Sequence, residues 1–275
     1  MTNLEYHARA EISKSDLSLL ANETPYALKM KKDGLYKGEV SASLNLGSAV
    51  HKLVLEPCDF EKEFAIEPTC DKRTKSGKAD YEAFENENQG KIILKADEFE
   101  KAKAISESIL QMKQTAKFLK DGTAEQSYFS ELCGIKVKCR PDFYNENLGL
   151  LIDLKTTSNP KKYDFTKSVA KFAYDMQVAF YADILESLGK KVNSTLIIAV
   201  KNKEPYSVAF YEIKKNSNAF LSGREYYQKM LKIWRECVEK NEFPNFEYTT
   251  ENEKKVIVQE ITDLPPYELY KRAEI

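Results

Sequence analysis

Two aspartates and a lysine lie in a stretch that otherwise reads as β-strand, "CRPDFYNENLGLLIDLKTT", residues 139–157. Asp142 ends one extended run, Asp153 lies within the next, and Lys155 follows two residues later. Residues i and i+2 of a strand share a face, so Asp153 and Lys155 point one way while Ile152 and Leu154 face the other, buried side. Asp142, upstream across a short turn, can meet Asp153 at the adjacent strand end. Two carboxylates and a backbone carbonyl, for which Leu154 is well placed, make an all-oxygen site suited to magnesium or manganese. Beside it the Lys155 ammonium can orient a nucleophile or stabilise phosphate charge. The chemistry implied is metal-assisted attack of water on a phosphodiester.

A D-x-K triplet alone is not diagnostic. Glu212–Lys214 and Glu253–Lys255 carry comparable E-x-K triplets, and such pairs are mostly surface ion pairs worth little. The spacing to Asp142 gives the triplet its weight. A glycosidase acid pair made of Asp142 and Asp153 leaves Lys155 without a role. Alternation along "IKVKCRPD" sets Asp142 on the face of Lys136, Lys138 and Arg140, unless a bulge at Pro141 breaks it. The sequence leaves both arrangements open.

The elements that must position these groups follow from periodicity. Strands are expected over "EQSYFSEL", "IKVKCRPDFY" and "LGLLIDLKTT", then over "STLIIAV" and "YSVAFYEI". Helices are expected over "SKSDLSLLANETPYALKMKK" as a pair, with Ser13 or Ser15 as N-cap and Pro25 opening the second. Others cover "SLNLGSAVHKLVLEP", the segment after the basic loop Lys72–Lys78, and "KADEFEKAKAISESILQMKQTAKFL" as one long helix with Ile105, Ile109, Met112 and Ala116 on its stripe. "YDMQVAFYADILESLG" stops at Gly189, and "FLSGREYYQKMLKIWRECVEK" is a long helix. This order gives an α/β fold, a central mixed sheet flanked by helices. One domain over 1–275 is expected: 1–120 mainly helical elaboration, 121–215 the catalytic core, 216–275 a C-terminal helix and tail.

Composition narrows the class. Of 275 residues 42% are hydrophobic and 31% charged, as in ordinary soluble proteins. With 42 Lys+Arg against 43 Asp+Glu, a DNA-binding surface has to be a local patch. Five cysteines, Cys58, Cys70, Cys133, Cys139 and Cys237, are odd in number and include no CxxC, which argues against a disulfide framework or zinc ribbon. No signal peptide or membrane span is evident, so a reducing, cytoplasmic setting is expected.

"RPD", "IDLKTT" and "QVAFY" in this order, with "LGSAVHKLVLEP" and "DKRTKSGKA" upstream, resemble the PD-(D/E)XK nucleases. The chain is most similar to the exonuclease VIII (RecE) nuclease domain and its phage relatives, with lambda exonuclease more distant, over roughly residues 10–215. The resemblance implies a restriction-endonuclease-like core. It implies that Asp142 and Asp153 bind metal with His51, that Lys155 is catalytic, and that Gln177 and Tyr181 form the Q-x3-Y pair behind the site. Glu125 falls near a further acid of related nucleases. In such an enzyme Arg73, Lys72 and Lys75 of the basic loop would grip phosphates. Ser15 or Ser13 at a helix N-terminus, and Thr156 and Thr157, would donate to DNA.

The activity so implied is Mg2+-dependent (Mn2+ substituting) 5′→3′ degradation of one strand of linear double-stranded DNA. It leaves a 3′ overhang for a single-strand annealing protein, and the enzyme works as a homo-oligomeric ring, trimer or tetramer. The alternatives are a RecB-like nuclease of other polarity and a catalytically inactive DNA-binding module. Iron–sulphur relatives need a C-terminal cysteine group, and only Cys237 lies in that region.

Overall fold

The computed structural model describes residues 1–36, 42–245, 248–250 and 253–255. In chain order the helices are α1 (Asn3–Ala8), α2 (Lys14–Asn22), α3 (Pro25–Lys32), α4 (Ala42–Leu55), α5 (Phe60–Glu63), α6 (Lys75–Glu87), α7 (Ala96–Leu110), α8 (Lys113–Phe118), α9 (Lys162–Lys171), α10 (Tyr174–Ser187) and α11 (Asn218–Lys240). The strands are β1 (Phe64–Ile66), β2 (Ile92–Leu94), β3 (Thr123–Ala124), β4 (Tyr128–Leu132), β5 (Ile135–Cys139), β6 (Phe143–Asn145), β7 (Leu150–Thr157), β8 (Ser194–Lys201) and β9 (Val208–Ile213).

The main sheet runs β3-β6-β7-β8-β9. Its two longest strands, β7 and β8, lie side by side in parallel, and the other pairings are antiparallel. Parallel strands covered on both faces read as near-continuous apolar runs, which is how "LLIDL" and "STLIIAV" read. One face carries Leu151, Ile197 and Ala199 into a core with α10 and α11. The other carries Ile152, Leu154, Leu196 and Ile198 into a core with α4 and α7. Asp153 and Lys155 alternate with Ile152 and Leu154, so they fall on the α10 face. The mixed sheet flanked by helices agrees with the α/β reading. Among the described residues no helix is long and apolar enough to cross a membrane.

Two close approaches fix the helices around the site. A Cβ on Gly223 would lie 2.3 Å from the Asp175 carbonyl oxygen, so the α11 backbone seats directly on the first turn of α10. Farther along, Arg224 donates to both carboxylate oxygens of Asp183, at 2.8 and 2.7 Å. At the N-terminal end Ser13 caps α2 in a capping box with Asp16. Burial alone would raise the Asp16 carboxyl, but Lys32 and Lys31 hold it at about 2 and tie α2 to α3.

Several expectations need correction. "IKVKCRPDFY" is not one strand: β5 pairs with β4 in a separate sheet, and β6 belongs to the main sheet. Pro141 has no N–H to give a ladder, and the chain changes sheet there. Of the two arrangements open from sequence, the basic strip is not the one formed. Lys138 is buried and donates to the carbonyls of Tyr6 and Arg9, at 2.6 and 2.8 Å, while Arg140 donates to Ser127 Oγ at 2.9 Å. The long helix breaks into α7 and α8, with Met112 extended between them; nothing in the sequence marks that break. The short parallel pair β1–β2 had no sequence signal. Beyond 245, only the antiparallel pair Tyr248–Thr250 and Glu253–Lys255 is described; the rest of the expected tail lies outside the described residues.

Candidate active site

Asp142 sits in the link between β5 and β6, where the change of sheet turns it toward β7. Its Oδ2 accepts from the Leu154 N–H at 2.6 Å. That bond fixes the first acid against the strand that carries the second. Asp153 Oδ1 accepts from Lys155 Nζ at 2.9 Å and from Gln177 Nε2 at 2.5 Å. Its Oδ2 is buried and has no hydrogen bond; the Lys155 ammonium 2.7 Å away makes an ion pair without hydrogen-bond geometry. Burial pushes the Asp153 carboxyl up, Lys155 opposes the rise, and Asp142 adds to it. Burial works against the charge of Lys155, yet Asp153 and Asp142 outweigh it and hold the ammonium above the usual lysine range.

His51 on α4 and Glu125 after β3 close the other side. One ligand atom each from His51, Glu125 and Asp142 lie within 4.8 Å of one another, with His51 Nδ1 3.4 Å from Asp142 Oδ2. Glu125 has φ of +49°, a left-handed conformation that non-glycine residues adopt rarely. Its N–H donates to the Asp142 carbonyl at 3.1 Å, which holds it there. Burial, then Asp142, pushes the Glu125 carboxyl up to about 8. A crowded Glu125 carboxyl pushed up by burial and by its neighbours, beside a buried Asp153 oxygen lacking a hydrogen bond, is what a divalent cation would relieve. The donor set, carboxylates with one imidazole, fits such an ion.

Helix α10 supplies the wall. Tyr174, Gln177 and Tyr181 follow at i, i+3 and i+7, one helical stripe. Gln177 is buried and reaches Asp153. Tyr181 packs against the core of that face, and burial holds its hydroxyl well above the usual tyrosine range. The Tyr174 ring lies 5.0 Å from Lys155 Nζ.

These groups open on a cleft of about 1200 Å³ whose lining includes His51, Glu125, Leu154, Lys155, Thr156 and Gln177. Three further lining residues, Lys14, Tyr174 and Phe172, were not singled out from sequence. Burial, then repulsion from Lys155, lowers the Lys14 ammonium to about 8. Tyr174 was legible in principle, standing one turn before Gln177; Lys14 was masked by the helix-cap pattern around it.

Other expected residues lie apart. Arg73 is engaged with Asp71 at 3.0 Å. Lys72 pairs with Glu67 and covers the Tyr81 ring, and Lys75 is exposed at the start of α6. None of the three lines the cleft. Ser15 shares a hydrogen bond of 2.9 Å with Ser13, the α2 cap. Thr157 Oγ1 is taken up by a local turn with Asn159, though the residue lines a smaller cavity beside the cleft.

Residues 13–252 match the family model described as a PDDEXK-like domain of unknown function (DUF3799). No curated protein matches the sequence. Among solved structures, the chain is similar to a Eubacterium rectale protein provisionally named an exonuclease, with TM-score 0.64 and 18% identity over 94% of this chain and 93% of that one. Weaker likenesses are to SSO0001 (TM-score 0.38, 13% identity, 85% and 87% covered) and to a phage related exonuclease from Haemophilus somnus 129PT (TM-score 0.35, 15% identity, 76% and 98% covered). At such identities the first likeness speaks to fold alone.

Proposed function

The chain belongs to the PDDEXK-like domain family DUF3799, and on that premise we propose that it is a divalent-metal-dependent nuclease acting on DNA. The observation that carries this reading is the joint placement of Asp142, Asp153 and Lys155, with Gln177 locked onto Asp153 and an oxygen of Asp153 buried without a hydrogen bond. The finer reading is a 5′→3′ exodeoxyribonuclease on linear duplex DNA. It uses magnesium, leaves a 3′ overhang for a single-strand annealing protein, and works as a homo-oligomeric ring. Polarity, overhang, ring and annealing partner rest on the motif resemblance to the exonuclease VIII domain.

Asp142, Asp153, the Leu154 carbonyl, His51 and Glu125 are the groups that would hold the ion. When bound, the ion supplies charge stabilisation at the phosphate and a water acidic enough to attack near neutral pH. The chain's own residues do the positioning. Gln177 fixes Asp153 through Oδ1, and the Leu154 N–H fixes Asp142. Lys155 keeps its proton, since the two aspartates hold it above the ordinary lysine range, and offers a permanent positive charge to a phosphate oxygen. The Tyr174 ring limits where that ammonium can move.

The test is degradation of linear duplex DNA labelled at the 5′ end of one strand and the 3′ end of the other, in magnesium or EDTA. Wild type is compared with Asp153→Ala and Lys155→Ala. Early, metal-dependent release of the 5′ label, lost in both variants, is expected. Early 3′ release or internal cuts would keep the site and overturn the polarity. DNA binding without any cleavage would establish the inactive binding module instead.

A further inference from the structure

We propose that Phe172, stacked on Tyr174 beside Lys155, is a platform for an unpaired nucleobase next to the phosphate that is cut. The inference deepens the nuclease reading and rests on it: the substrate engaged at the site is a frayed or single-stranded DNA end. Phe172 is 48% exposed, and a lone exposed phenylalanine would mean little. This one ends a column of rings. Tyr211 stacks on Phe165 at 4.8 Å between centroids, Phe165 meets Tyr174 at 6.2 Å, and Tyr174 stacks on Phe172 at 5.7 Å with 28° between the planes. Phe165 is fully buried, so the column is rooted in the core and its last member stands at the cleft.

The backbone under that last ring is fixed as well. Phe172 closes α9, Ala173 takes a left-handed φ of +50°, and Tyr174 opens α10. Lys14 Nζ donates to the Phe172 carbonyl at 3.0 Å. A ring held this way loses little freedom when a second flat ring stacks on it.

The surroundings point to a nucleotide. Lys155 and Lys14 lie 5.0 and 6.0 Å from the Tyr174 centroid, and Lys171 lies 5.4 Å from that of Phe172. Cations of this kind suit the phosphates on either side of a stacked base. A second cavity, about 230 Å³, shares Phe172, Tyr174 and Thr156 with the main cleft and is lined also by Ser158, Ser168 and Asn202. Asn202 lines this cavity, and its Oδ1 atom is buried without a hydrogen-bond partner. Hydroxyl side chains beside an aromatic face match the edge and the face of a base. Stacking tolerates any base, because every base has a π-face. The platform therefore selects for an unpaired end and against no particular sequence.

The experiment measures binding by fluorescence anisotropy with the full chain, calcium replacing magnesium. One duplex is fully paired; the other has two mismatched nucleotides at its end. Wild type should bind the mismatched end more tightly. Phe172→Ala should weaken that binding roughly five- to a hundredfold, leave the paired duplex nearly unchanged, and be rescued by Phe172→Trp. In parallel, 5-iodouracil at the terminal position should cross-link to Phe172 or Tyr174. Equal affinity of wild type and Phe172→Ala for the mismatched end would overturn the proposal. So would equal losses on both duplexes, or a shift in oligomeric state that accounts for the loss. Because binding is read without cleavage, a platform that works in a protein that cuts nothing would sink only the nuclease reading. Cleavage indifferent to Phe172 would sink only the platform.

Discussion

A carboxyl that keeps its proton to about pH 8, as Glu125 does beside Asp142, leaves a signature in the ion-free protein. Between the ordinary glutamate value and pH 8 the unfolded chain has lost this proton and the folded one has not. The folded state then binds more protons, so its stability falls as pH rises through that window. Glu125→Gln keeps the shape and removes the titration. In EDTA the variant should gain on wild type with pH, reaching on the order of 1–2 kcal/mol at pH 8 once solvent screening is allowed for. Urea midpoints at pH 5 and pH 8 measure this, and an identical difference at both would show that Glu125 is already ionised. At this scale the sequence was informative where spacing alone implies proximity. Asp153 and Lys155 share a strand face, and Gln177 falls on a helical stripe that proved to face them. Glu125 was only loosely placed, because its position depends on a left-handed turn and on a contact with Asp142 that neither residue's neighbours reveal. Lys14 and Phe172 were missed because a lysine inside a capping box and a phenylalanine at a helix end have ordinary local explanations.

Among elements, β7, β8 and α10 were legible because burial on both faces leaves an unmistakable apolar run. The Pro141 break was legible only as an ambiguity, since a proline permits either a bulge or a change of sheet, and the choice depends on where β4 and β6 lie. The packing of α11 on α10 was not legible at all. It depends on Gly223, which reads as a weak point in a helix until the Asp175 backbone is seen against it. Placing a methyl group 2.3 Å from that carbonyl oxygen forces the two helices apart at the turn that carries Tyr174 and leads to Gln177. Gly223→Ala should therefore lower the urea midpoint, reflecting a stability loss of about 1–3 kcal/mol as for other overpacked cores. It should reduce nuclease activity by more than that loss of folded protein explains, because Gln177 is drawn away from Asp153. Helix propensity alone predicts the reverse, a gain from glycine to alanine, so the sign of the midpoint shift separates the two accounts.

For the whole molecule, a formal charge of −1 gives DNA no general reason to bind, and the cleft has to supply it. Its lining cations are not equivalent. Lys52 is paired with Glu56 and Glu63, Lys62 with Asp59, and Lys155 with Asp153. Lys14, Arg140 and Lys171 line the same cleft and show no ion pair with a carboxylate among the described residues. If these three meet phosphates, about three condensed counterions leave the duplex on binding. The logarithm of the association constant should then fall with the logarithm of salt concentration at a slope of about −3. Lys171→Ala, at an exposed position away from the carboxylates, should make that slope shallower by about one without altering which end of DNA is preferred. Anisotropy titrations from low to moderate salt, with calcium in place of magnesium, measure both quantities. A slope near zero would mean that binding is carried by the bound ion and by stacking. A slope much steeper than about −3 would call for further cations, from the chain's own basic loop or from a neighbouring subunit. Its persistence in Arg73→Ala/Lys75→Ala would favour several copies of the chain enclosing one duplex.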